Sequence, residues 1–151
     1  MTRRIRSTSR RLHDEDGNAI IEFVYLAVLL MVPLVYVLLT VFRVQGAAYA
    51  VSSAAREAGR VYATSESADD AYERAFAAAS IVMADSGLEL TPAQLQIDCE
   101  ACLEPGSTVP VVIEYDVALP LLPRFLDGSA PASVQVTSHH LEVVDRFRAA
   151  P

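Results

Sequence analysis

Positive charge is scarce wherever this chain could form a globular body. After Arg43 the sequence carries 15 acids against six arginines, and none of its 151 residues is a lysine. An acidic body of that kind excludes a nucleic-acid binder, because phosphate contacts need a basic surface. The usual catalytic patterns are missing as well. No Ser–His–Asp set stands out, and there is no glycine-rich phosphate loop, metal-binding acid cluster or internal repeat. Glu114 and Asp116 share one face of a strand pattern, which reads as a solvated face rather than a glycosidase pair. Neither enzymatic activity nor a cofactor is expected. Cysteine is limited to Cys99 and Cys102.

Charge is also absent from Phe23 to Phe42, "FVYLAVLLMVPLVYVLLTVF". A bilayer core takes about 20 apolar residues in a helix, so this run is long enough to span it. Pro33 interrupts the run and predicts a kink near Leu29 to Pro33, which membrane helices tolerate. The first stretch, "MTRRIRSTSRRLH", holds five arginines and no acid. By the positive-inside rule the N-terminus is cytoplasmic and the bulk of the chain is exported. A cleaved secretory signal is the competing reading, with "AYA" at Ala48 to Ala50 as its site. Against it, a signal's apolar core is usually about 7–15 residues, and the helical pattern here continues past Ala50.

Inside the edge of the apolar segment sits an acid, Glu22, in "DEDGNAIIEFVYLAVLL". Burying it in a bilayer costs a few kcal/mol, so it needs a wet edge or a partner. It can snorkel at the interface, near Arg10 and Arg11. Alternatively, a cut between Gly17 and Asn18 would give Asn18 a new α-amino group, mostly protonated near neutrality. Asn18 and Glu22 stand at i, i+4 on one helix face, so that amine could pair with Glu22 of its own chain or of a neighbour. Pairing between neighbours would set the register of packed helices.

The stretch "GNAIIEF" before an apolar span resembles the processing site of type IV prepilins and pseudopilins. "RVQGAAYAVSSAAREAGRVYA", Arg43 to Ala63, is similar to the small-residue helix of TadE-like proteins of the tight-adherence (Flp, type IVc) pilus. The resemblance covers Asp14 to about Ala63. It implies that a membrane prepilin peptidase cuts after Gly17 and that Glu22, fifth in the mature chain and followed by Phe23, serves assembly. It also implies a pilin-like architecture and a structural role as pseudopilin or minor pilin. The implied partners are the peptidase, other pseudopilins, the pilin fibre and the inner-membrane assembly platform. Phe23 departs from the tyrosine frequent after the acid in Flp pilins. That departure, with the chain's length, argues against the major pilin. The alternative is a single-pass, membrane-anchored binding module unrelated to pili.

The expected organisation is a basic leader over 1–17, a transmembrane helix over 18–43, a helical extension over 44–63 and an exported α+β domain over 64–151. Continuous from Asn18 to Ala63, the first helix would be roughly 65–70 Å long. Its alanine-rich part is a plain stalk or a packing surface. "ATSESADD" breaks it, Ser67 starts a second helix, and Gly87 stops that helix. Ala68, Ala71, Tyr72, Ala75, Phe76, Ala79, Val82 and Met83 form its apolar stripe.

From Leu88 the period changes to two. Leu95 to Cys99, Val109 to Leu119 and Val134 onward predict a small three-stranded antiparallel sheet, with a bulge where the last pattern shifts near His139 to Leu141. "PLLPRFLDGSAP" connects the last two strands. Outside the cytoplasm, Cys99 and Cys102 are expected as a short-loop disulfide. Thiol–disulfide catalysis would favour a helix start in a βαβ setting. Zinc would need His139 and His140 together, yet neighbours on a strand point to opposite faces.

Overall fold

The structure, a computed structural model, describes residues 12–98, 103–119 and 133–147, with side chains from Ala19 onward except that of Asp69. Helix α1 (Leu12–Ala63) is followed by helix α2 (Ala68–Asp85) and a single 3-10 turn at Pro92–Gln94. Strands β1 (Leu95–Ile97), β2 (Thr108–Ala118) and β3 (Ser133–Val143) complete an α+β chain. It divides into two compact units, Met1–Leu39 and Thr40–Pro151.

Among the described residues the first unit contributes only helix, and α1 remains helical on both sides of Pro33. The second unit holds the core. There the alanine-rich part of α1 is a packing surface: Ala50, Val51, Ala54, Ala55, Ala58 and Tyr62 are buried together with residues of α2 and the sheet. Their spacing follows one helix face. Against these small side chains stand Val109, Val111 and Ile113 of β2, Leu95 of β1 and Met83 of α2. Small helix residues thus stand against larger side chains, and each buried Val, Ile, Leu or Met is worth about 1.5–3 kcal/mol.

α1 stops where hydroxyls take over its last carbonyls. Thr64 Oγ1 donates to the Arg60 carbonyl at 2.9 Å and Ser65 Oγ to that of Val61 at 2.8 Å, satisfying acceptors that a helix end leaves open. α2 begins after Ser67, whose carbonyl accepts from Ala71 N–H. Its stripe packs from Ala71 onward, with Ala71, Ala75, Ala79 and Met83 buried and Tyr72, Phe76 and Val82 partly so; Ala68, expected to open the stripe, is exposed in the first turn. It ends in a Schellman motif: Leu88 N–H reaches the Met83 carbonyl, Gly87 N–H that of Ala84, and Gly87 takes φ +70°. Tyr72 then ties α2 to the sheet, its hydroxyl 3.2 Å from the carbonyls of both Pro92 and Leu95.

The sheet order is β1-β2-β3, antiparallel throughout. β2 is introduced by a turn in which Ser107 N–H bonds the Glu104 carbonyl, with Pro105 second and Gly106, at φ +84°, third. That sequence and geometry are those of a type II turn. Pro110 lies in the middle strand, where proline is normally excluded. It is tolerated here because β1 ends with Ile97 opposite Val111, leaving β2 open on that side one residue earlier.

The expected bulge near His139 to Leu141 is not formed. Pairing runs in unbroken step from Thr108↔Val143 to Ala118↔Ser133. The shift in hydrophobic pattern is absorbed differently: Ser138, His140 and Glu142 occupy the helix-facing side, and Leu141 and Val143 are left exposed on the outer one. The expected 120–131 connection and both cysteines lie outside the described residues.

Gly59 lets α1 approach β3. A Cβ there would come within 3.1 Å of Glu142 Cβ and 3.2 Å of His140 Cδ2. Gly46 is different, because a Cβ there meets nothing within 4 Å. A glycine in a helix interior costs about 1 kcal/mol relative to alanine, and nothing described in the chain requires this one. We predict that Gly59→Val destabilises the second unit by about 1–3 kcal/mol, since Glu142 Cβ is fixed to its strand and cannot swing away. Denaturant unfolding of the detergent-solubilised chain measures it, and an unchanged midpoint would contradict the close approach.

Candidate functional site

Two regions carry the residues of interest, one in each unit. In the first, α1 contains Gly17 and Asn18 within its helical range. Their side chains lie outside those described. Glu22 and Phe23 are exposed, Phe23 by 72%. Helical geometry sets Asn18 and Glu22 one turn apart. Among the described residues no cation forms an ion pair with Glu22. The apolar side chains that follow are exposed all round the helix, from Ile20 through Phe42. Such a surface in water would be highly unfavourable. α1 is long and apolar enough to cross a membrane. The competing signal site at Ala48 to Ala50 falls in mid-helix, with Ala47, Ala50 and Val51 buried. A cut there would sever the core helix of the second unit.

The second region is a charged corner where α1 meets β3. Ser53, Arg56, Glu57 and Arg60 of α1 and His140 and Glu142 of β3 line an open depression of about 360 Å³. The stretch "AAREAGR", Ala54 to Arg60, divides cleanly between core and corner. Ala54, Ala55 and Ala58 are buried, Gly59 admits β3, and the two arginines and Glu57 face the depression. Arg60 Nε donates to Glu57 Oε2 at 3.0 Å, and a second guanidinium N–H reaches Oε1, making the pair bidentate. Arg56 donates instead to Ser52, to its Oγ at 2.8 Å and its carbonyl at 3.2 Å. His140 Nε2 lies 2.9 Å from Glu142 Oε2.

The hydrogen bond from Arg60, and then its charge, hold the Glu57 carboxyl below the ordinary glutamate range; the same pair raises Arg60. His139 and His140 pair with Val112 and Val111 respectively, on opposite faces of the sheet. They cannot converge on one ion. Glu114 and Asp116 are exposed on the outer face.

Sequence reasoning singled out Glu22 and Phe23, and the structure keeps them together at the start of the apolar run. It missed the corner. The available signals were Arg56 and Arg60 at i, i+4 and His140 and Glu142 at i, i+2, each set on one face of its own element. What brings the two sets together is the Gly59 approach, which depends on tertiary packing.

A depressed carboxyl contributes stability that is present above its unfolded pKa and lost as pH falls through its folded one. The Glu57–Arg60 pair is exposed, so this contribution is small. We predict that the Glu57 carboxyl titrates below the ordinary glutamate value by NMR and returns to it in Arg60→Gln. Identical titration in both chains would mean the pair does not persist in solution. In comparison with known proteins, the chain matches no family model, no curated protein and no solved structure.

Proposed function

We propose that this chain is a membrane-anchored structural subunit of pilus assembly, a pseudopilin or minor pilin of the tight-adherence type, matured by cleavage after Gly17. The observation that carries this reading is the order of features along one helix. A glycine is followed after five residues by an acid, the acid by a charge-free run, and the run by the alanine-rich face that builds the second unit's core. The arginines before the run give a cytoplasmic N-terminus and an exported second unit. On this reading the span stands in the inner membrane, and the partners are a prepilin peptidase, other pseudopilins, the pilin fibre and the assembly platform.

Glu22 supplies the mechanism. Isolated in a bilayer, a carboxylate is unfavourable by about 2.5–3.5 kcal/mol. Cleavage creates its partner, the amine of Asn18. Between neighbouring copies that pairing favours one axial offset, because a slip of one helical turn, about 5.4 Å, carries the charges out of hydrogen-bond reach. The acid thereby converts general helix association into a fixed register.

Two expectations follow from these roles. Gly17→Leu inserts in the membrane but stays uncut when produced with a cognate prepilin peptidase, as mass spectrometry of the intact chain would show. Normal maturation of that variant would remove Gly17 from the site. Glu22→Leu is inserted and processed but does not support surface pili, whereas Glu22→Asp retains part of the function because the charge remains. Counting pili in strains carrying each variant as the sole copy, at matched membrane levels, is the test. Normal piliation with Glu22→Leu would reduce the segment to an anchor and favour a binding module unrelated to pili.

A further inference from the structure

Within the second unit, a groove lies between the α1 segment Phe42 to Ala47 and the turn that ends α2. Phe42, Arg43, Gly46 and Ala47 line one side and Ser86, Gly87 and Leu88 the other, around about 350 Å³. That volume is at the small end for ligand pockets, roughly 300–1,000 Å³. Two glycines bring bare backbone to its surface. A Cβ built at either Gly46 or Gly87 would meet no atom within 4 Å. Gly87 is explained by its positive φ in the Schellman turn. Gly46 has no such explanation: it weakens α1 and accommodates nothing described in the chain. Space is therefore kept open beside Arg43, and no carboxylate forms an ion pair with Arg43 among the described residues.

The position of the groove identifies what fills it. Phe42 closes the charge-free run and Arg43 is the first charged residue beyond it. If Phe23 to Phe42 spans a bilayer, Phe42 stands at the aromatic boundary and Arg43 at the depth of the headgroup phosphates. A guanidinium binds phosphate bidentately, and the apolar floor beside it suits the first methylenes of an acyl chain.

We propose that this groove binds one membrane phospholipid, its phosphate on Arg43 and the upper part of an acyl chain over Gly46 and Leu88. The inference rests on the membrane-spanning reading but not on any role in pili. A bound lipid would fix how deep the second unit sits against the membrane surface.

The test uses the full chain, extracted in mild detergent, mixed with phosphatidylglycerol and examined by native mass spectrometry. The unaltered chain should retain one lipid. Arg43→Gln should retain it about tenfold less well, the size of one charge-assisted contact, and Gly46→Leu, which fills the groove, should lose it. Arg43→Gln changes an exposed side chain and leaves the core intact, so it remains informative if Gly46→Leu alters helicity by circular dichroism. Inorganic phosphate should not displace the lipid; displacement would point to a free anion and overturn the proposal. Equal retention by all three chains would overturn it too, as would loss of a dimer rather than a lipid in Gly46→Leu, which would assign the groove to a second copy. Alkaline carbonate separates this failure from that of the anchor. A chain washed off the membrane refutes both, whereas a retained chain with equal lipid counts refutes the groove alone.

Discussion

Close packing against the alanine face of α1 is the constraint on which the second unit depends. Ala50, Ala54, Ala55 and Ala58 present almost no side chain, so the sheet and α2 can close on the helix backbone. At Gly59, under Glu142 and His140, even an alanine Cβ would sit 3.1 Å from Glu142 Cβ, so that its neighbours would have to give by a few tenths of an ångström. The burial of Val109, Val111 and Ile113 and the seating of α2 follow from that proximity. A larger residue on this face would push the sheet away and open cavities across the whole contact.

The same helix carries, further toward the N-terminus, a surface of opposite character. Apart from Glu22 its side chains from Ile20 to Phe42 are mostly large, apolar and exposed. One continuous helix thus uses small residues to bury itself in protein and carries, further toward the N-terminus, a run of large ones long and apolar enough to cross a membrane. Helix-to-helix contact in a bilayer lacks a hydrophobic driving force and relies on packing and polar pairing. On the proposed reading a single acid such as Glu22 would govern association of such a span, while an exposed pair such as Glu57–Arg60 adds little to the stability of the second unit.

Much of this was readable in the residues. The period of α2, its stop at Gly87 and the alternation of β2 each rest on local physics, and each appears within a residue or so of its expected place. The reading failed at β3, where polar Ser138, His140 and Glu142 took the helix-facing side and Leu141 and Val143 the outer one. A bulge was the local remedy for that pattern. The strand kept its register because eleven continuous pairs with β2 outweigh the exposure of two apolar side chains. The charged corner was hidden for a related reason. Its halves lie some eighty residues apart and meet only through the Gly59 approach. The Glu104–Ser107 turn was legible in principle, since Pro-Gly at its centre is a type II signature.

Helix α1 is at once the proposed membrane segment and part of the core of the second unit. Hydrogen–deuterium exchange on the full chain, in lipid bilayers and in detergent, tests this directly. It predicts that amides from Ala50 to Tyr62 are protected as strongly as those of β2 and lose protection together with them on denaturation. It also predicts that Phe23 to Phe42 is protected in the bilayer whether or not the second unit is folded. Fast exchange over Ala50 to Tyr62 while β2 stays protected would contradict the account, because that segment would then be a stalk and not the core.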